Sequence, residues 1–416
     1  MRATSLSLGF AAACIAMSGL LVYAYLAVVA RNSTPADYSY FGAFWSLALI
    51  VGFGAFLPIE QALARALQDP RGRRAALRSA ATAAGGIAAA QLALLAAVSP
   101  LLWPAIGGRP TTLVALGALC VVSAAQFVVR GVLVGLGRLR MHGLVLVGDS
   151  ALRVLLASVV ALLGSPDSAM FAWTLVVAVT LAHVPLLPGL VRRTQAGPDT
   201  GALHSLGAVV APLLLGSLCA QLLLNGLPVL VSAAASAAEQ GRAGQFLAAF
   251  TLARVPLFVL VPLQSAIIPA LTALAIAGPP AALARMLGRT ATAVLALGGA
   301  GVAGALAVGP WLVQLVFGAQ YRLPAVDLAL MVAGVSAHVG LLLVTQALIA
   351  TSRQRDVAVS WLAALAVAGT VFAVIPDLLL RAELAFLAGS ATGWVVGNAQ
   401  LLGHRTREGA LPCPRE

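Results

Sequence analysis

The segment Thr251–Leu274 reads TLARVPLFVLVPLQSAIIPALTAL. Crossing the hydrocarbon core of a bilayer takes about 20 mainly apolar helical residues, and this stretch is long and apolar enough to do so. It nevertheless holds a fixed positive charge, Arg254, and three prolines, Pro256, Pro262 and Pro269. A proline removes a backbone hydrogen bond and bends a helix. Inside a membrane the freed carbonyls are tolerated where they line a cavity or find a neighbour. The segment therefore predicts a bent span carrying an inward arginine, as suits a moving wall around an anionic cargo; kinks that serve packing alone are the alternative.

The rest of the 416-residue chain is of the same kind. It is 61% hydrophobic and 9% charged, with a mean hydropathy of +1.00, where soluble chains carry roughly 25% charged residues. Lipid is thus the expected solvent for most of its length. The formal charge is +12, and all 25 basic residues are arginine. In such a chain their placement reports orientation, and no nucleic-acid-binding face is expected. Cys14, Cys120 and Cys219 lie in apolar runs and Cys413 near the end, without disulfide or metal-ligand spacing. Arg2 precedes an apolar run from Leu6 to Ala30, longer than the roughly 7–15 residues of a signal peptide's apolar region. It reads as a first span.

Twelve spans are expected, near 6–30, 39–64, 79–104, 111–136, 143–164, 169–191, 205–233, 244–274, 288–316, 325–350, 357–376 and 383–402. With the N-terminus inside, the inside segments hold sixteen arginines and the outside segments five, leaving four within spans. Basic residues collect in cytoplasmic loops, so both termini are expected in the cytoplasm of a cell whose cytoplasmic membrane the chain crosses. The longest inside connection between spans, RRTQAGPDTGALH (192–204), follows the sixth. It sets the expected organisation: a six-helix bundle over 1–195, a linker over 196–204, a second six-helix bundle over 205–403 and a cytoplasmic tail over 404–416. The second and eighth spans echo each other, Phe41 meeting Phe246, Ser46 meeting Thr251 and Pro58 meeting Pro262 with one gap. Repeated halves are a usual plan for secondary transporters.

Ionisable residues inside spans are costly, so each is informative. Arg130, Arg153 and Arg254 are the deep arginines; Glu60 and Arg65 sit toward the inner end of span two, and Asp149 opens span five. Asp149 and Arg153 are four residues apart and are expected to form a structural ion pair on one helix. Ser123, Gln126 and Arg130 make one stripe on span four, and Ser217, Gln221 and Asn225 another on span seven. Arg254, Ser265 and Thr272 fall on nearly one face of span eight. Arg130, Arg254, Gln126, Ser217, Gln221, Asn225 and Ser265 are the candidate substrate-binding residues; hydrogen-bonded glue between helices is the competing role. His183 and His338 read as packing residues. The sequence contains no catalytic constellation, no metal site and no cofactor motif, and no enzyme activity is expected.

The stretches ARNSTPADYSYFGAFWSL, TLARVPLFVLVPLQSAIIPALTAL and GPWLVQLVFGAQYRLPAVDLALM carry a resemblance. The chain resembles the polysaccharide transporter, O-antigen flippase-like branch of the multidrug/oligosaccharidyl-lipid/polysaccharide (MOP) flippase superfamily, in order along nearly its whole length. The resemblance implies an all-α polytopic membrane protein of two six-helix bundles in a V, opening alternately inward and outward. It also implies a cargo of undecaprenyl-pyrophosphate-linked sugar. The lipid II flippase branch differs in having two extra helices and arginines near its first two spans. The drug-exporter branch differs in its acidic residue in the first or seventh span, where this chain has none.

The expected function is therefore translocation of a lipid-linked oligosaccharide or similar anionic polysaccharide precursor across the cytoplasmic membrane. A small-molecule exporter of the MATE kind, coupled to ions, or a lipid II flippase-like protein are the alternatives. Expected partners are the lipid-linked saccharide, membrane lipid, and a polysaccharide polymerase or glycosyltransferases; no nucleic acid and no cofactor are expected.

Overall fold

The computed structural model describes residues 2–70, 72–164, 166–194, 206–257, 280–351 and 353–408. Among them every regular element is a helix, and 11 helices are long and apolar enough to cross a membrane. The all-α polytopic architecture expected from the sequence is thus the one found. In chain order the helices are α1 (Arg2–Arg31), α2 (Pro35–Leu49), α3 (Leu57–Ala66), α4 (Arg73–Leu102), α5 (Pro110–Gly135), α6 (Leu139–Leu162), α7 (Ser168–His183), α8 (Leu187–Thr194), α9 (Leu206–Ala234) and α10 (Gln240–Ala253). They continue with α11 (Pro280–Phe317), α12 (Ala325–Ala350), α13 (Gln354–Val374) and α14 (Leu378–Glu408). The eighth expected span is described only as α10 and the four residues after it; its prolines Pro262 and Pro269, with Ser265 and Thr272, lie outside the described residues, as does the linker 196–204.

Local chemistry sets several of the boundaries. Thr34 caps α2 by accepting from the Asp37 amide at 3.1 Å, with Pro35 following in the first turn. Asp167 caps α7 through the Met170 amide, and Asp377 caps α14 through the amides of Leu379 and Leu380. Such caps satisfy amides that the helix itself leaves unpaired. At the other end of α3, Arg73 Nε donates to the Leu67 carbonyl at 3.0 Å, a cation on the negative pole of the helix. The second span is not one helix: α2 passes through a π-helical turn, Ile50–Gly54, into α3. The sixth span is likewise interrupted at Val184–Leu186 between α7 and α8.

The chain divides into two compact units, Met1–Ala248 with Leu315–Tyr321, and Ala249–Gln314 with Arg322–Glu416. In the first, α1 packs on α6, α7 on α5 and α6, and α3 on α5, while α9 lies along α2, the π-turn and α3. Its core is Phe56, Ile59, Leu63, Ala80, Ala84, Phe127, Val129 and Leu133. In the second, α14 packs on both α12 and α13. Lipid tails are as apolar as leucine, so close backbone approach and van der Waals fit hold such helices together. Two glycine rows do this. An added Cβ at Gly131 would lie 3.0 Å from the Glu60 carbonyl oxygen, and one at Gly135 3.0 Å from that of Ala64, so α3 and α5 touch backbone to backbone. Gly389 and Gly393 bring α14 equally close to the Ala364 and Ser360 carbonyls of α13.

Candidate functional site

The π-turn of the second span collects polar side chains from two other helices. In a π-turn the hydrogen-bond ladder is widened, and such turns cluster at functional sites. Two of its carbonyls are held from outside: Gln91 of α4 donates to Val51 O at 3.1 Å, and Ser217 of α9 donates to Phe53 O at 2.8 Å. Gly54 lets α9 come close, with Leu218 and Gln221 against the space a Cβ would need. One turn on, Asn225 is fully buried and donates to Gln221 Oε1 at 2.7 Å. The stripe Ser217, Gln221 and Asn225 thus faces the break in span two.

Beside it sits a buried charge cluster. Arg130 Nε lies 3.0 Å from Glu60 Oε2, and its guanidinium stands over the rings of Phe127 and Phe53 at 4.9 and 5.6 Å. His142 Nε2 is 4.0 Å from the other Glu60 oxygen. Gln126 is buried one turn before Arg130 on α5, and Ser123 a turn before that. Asp149 and Arg153 meet through both nitrogen–oxygen pairs of a fork on α6, the Nε contact at 3.1 Å. His183 is fully buried with Nδ1 against the Val179 carbonyl at 3.0 Å. Neither Glu60 nor Arg130 is isolated: the guanidinium is neutralised by the carboxylate, and the aromatic faces add cation–π attraction.

Arg254 belongs to the second unit. It is buried just past α10, donates from Nε to Phe250 O at 3.2 Å, and lies 4.6 Å over the Phe250 ring. Phe250 meets Phe386 edge-on at 5.1 Å, and Phe386 in turn packs on His338, which also meets Trp361 and Ser390. An aromatic chain therefore fixes the direction of the guanidinium. Arg130 and Arg254 fall in different units, so neither unit by itself holds both. A pocket in the second unit, lined by Thr290, Gly340, Trp394 and Asn398, contains none of the residues singled out from the sequence.

Sequence reasoning missed three polar participants. Gln91 carries no helical stripe that marks it. His142 was placed just before the fifth span, whereas α6 begins at Leu139. The last expected span, 383–402, puts Glu383 at its edge, whereas α14 begins at Leu378 and buries it. For the last two the signal was present and a boundary a few residues off concealed it.

No protein-family model matches the chain. Among curated proteins, the uncharacterized protein Rv1510 of Mycobacterium tuberculosis is 27% identical over 407 residues, covering 94% of this chain and 90% of its own. The uncharacterized protein Rv3630 of the same organism is 28% identical, covering 92% and 89%. Among solved structures, an inward-facing multidrug resistance MATE family transporter of the MOP superfamily matches with a TM-score of 0.69 at 14% identity, covering 95% of each chain. A MOP superfamily transporter from Pyrococcus furiosus matches at 0.60 with 14% identity, covering 97% of this chain and 96% of that one. The chain is a multi-pass membrane protein with the helical fold of MATE transporters.

Proposed function

We propose that the protein is a transporter of the MOP kind, working by alternating access, that moves an undecaprenyl-pyrophosphate-linked oligosaccharide or similar anionic polysaccharide precursor across the cytoplasmic membrane. In this reading 1–195 and 205–403 act as its two halves, both termini are cytoplasmic, and a polymerase or glycosyltransferases are the partners. Transport needs no covalent step, so no catalytic residue is called for.

The observation that carries the proposal is Arg254. A charged side chain at mid-membrane costs about 2.5–3.5 kcal/mol on insertion scales, and this one is held in a fixed direction by the Phe250 carbonyl and ring. A fixed guanidinium suits a phosphate better than a cationic drug. The fold itself does not set the sign of the cargo: the Pyrococcus furiosus transporter is described as having a binding pocket of reverse polarity that suggests a different function. An ion-coupled small-molecule exporter is the second reading, favoured by the likeness to the multidrug resistance transporter.

Deleting the gene is expected to leave lipid-linked saccharide on the cytoplasmic leaflet, where it is shielded from an impermeant glycan-modifying reagent. Restoring the gene is expected to expose it. Unchanged exposure in the deletion strain, with cationic dyes accumulating instead, would establish the exporter reading in its place.

A further inference from the structure

Near the start of α14 the second unit buries an acid that nothing so far uses. Glu383 is 2% exposed, and among the described residues neither of its carboxyl oxygens has a hydrogen-bond partner. Most buried polar groups are paired, so an orphan of this kind calls for a reason. The charges that act on it are Asp327, in the first turn of α12, and Asp377, the cap of α14, both of its own sign. The basic residue two positions earlier, Arg381, lies over the Phe372 ring of α13 at 4.6 Å. His338, the titratable group further along α12, is engaged with Phe386 and Ser390.

An ionised carboxylate in this position would be desolvated, without a donor and repelled by two like charges, and such a group is neutralised rather than left charged. Neutralisation requires a proton or a metal cation. Among the described residues no three acidic, histidine or cysteine side chains come close enough together to hold a metal ion, and a proton is the ligand that needs no further donor. The three acids also form a graded series: Asp377 is exposed, Asp327 half-buried and Glu383 buried.

We propose that Glu383 is a proton-binding site of the second unit. The site depends on the transporter reading only for what the proton drives; proton binding stands without it.

The test is infrared difference spectroscopy on the full-length protein in lipid nanodiscs. At neutral pH the wild type is expected to show the carbonyl stretch of a protonated carboxyl group, sensitive to deuterium exchange. Glu383→Gln should remove that band, Asp327→Asn should shift it, and Asp69→Asn, at an exposed site, should leave it alone. Absence of the band from the wild type, or its full survival in Glu383→Gln, overturns the proposal. Loss of the band on adding sodium at neutral pH also overturns it, by showing a metal-ion site. Should Glu383→Gln not fold, the wild type decides: the band must outlast those of exposed carboxyl groups as the pH is raised, and a band that vanishes with them refutes the assignment. A normal band together with unaltered lipid-linked saccharide in the deletion strain would count against the cargo and leave the proton site standing.

Discussion

Glu60 and Arg130 meet at 3.0 Å where α3 and α5 cross, and the helices can cross so closely because the residue after Arg130 is glycine. The contact joins the broken second span to the fourth through a charge pair buried among Phe53, Phe127 and Phe56. Removing one partner of a buried pair strands the other, typically at about 3–5 kcal/mol. Glu60→Gln and Arg130→Gln are each expected to lower the melting temperature in detergent strongly, while the double replacement loses less than the sum of the two. Strict additivity would mean that the pair contributes no coupling.

The same crossing makes a prediction about glycine. Gly131→Ala and Gly135→Ala place a Cβ against backbone atoms of α3, and overpacking of this kind costs about 1–3 kcal/mol. Gly148, in the middle of α6, has nothing among the described residues within 4 Å of its missing Cβ; there alanine is expected to stabilise by roughly 0.5–1 kcal/mol. Thermal unfolding of the three variants should order them accordingly, and equal melting temperatures would show that the α3–α5 contact is not tight.

How much of this was legible in the sequence depends on distance along the chain. The Asp149–Arg153 contact lies on one helix, where four-residue spacing alone places the two side chains together. The Glu60–Arg130 contact spans seventy positions, and although each residue was conspicuous, nothing in the sequence paired them. The stretch Ile50–Gly54 reads as one more piece of apolar helix; its π-turn depends on carbonyl partners that only the packing of α4 and α9 supplies. The apolar runs are legible for eleven of the twelve expected spans, the eighth lying largely outside the described residues, because lipid demands them, whereas the ends of spans are not, and His142 and Glu383 sit there.

Tyr321 explains one motif on which the family resemblance rests. It is fully buried, donates to Ala30 O at 3.0 Å and meets Tyr38 edge-on at 5.4 Å, with Phe317 beside both. Ala30 O also accepts from the Ser33 amide, so Tyr321→Phe removes a hydrogen bond without stranding the carbonyl and should cost about 0.5–1.5 kcal/mol. Tyr321→Ala also empties the aromatic cluster and should cost about 3–5 kcal/mol. A melting-temperature difference between Phe and Ala variants is expected; none would mean that the ring is dispensable.

Orientation is testable at exposed positions on helix ends. Single cysteines replacing Leu163 and Ala238 are expected to react with an impermeant thiol reagent added outside, and one replacing Gln68 to react only after permeabilisation. All three side chains are exposed, and Cys14, Cys120 and Cys219 are buried, although each is best replaced by serine first together with Cys413. The opposite labelling would invert the orientation read from the arginines and, with it, the direction of transport.

The cargo prediction turns on Arg254, where charge and shape can be separated. Arg254→Lys keeps a positive charge in the span but loses the planar fork that holds phosphate through two bonds, and with it the Nε bond to Phe250 O. Arg254→Gln keeps donors and loses the charge. If the cargo is anionic, the lysine variant should retain part of the export and the glutamine variant very little. Protein abundance should change less than at Arg153, whose loss leaves Asp149 buried without its partner. Export of lipid-linked saccharide would be measured in cells lacking the native gene, normalised to the amount of protein in the membrane. Losing one charge-assisted hydrogen bond to phosphate is worth about 1.5–3 kcal/mol, which corresponds to a rate reduction of roughly ten- to a hundredfold. Full export by Arg254→Gln at normal abundance would remove the arginine from cargo recognition and leave the small-molecule exporter as the better reading.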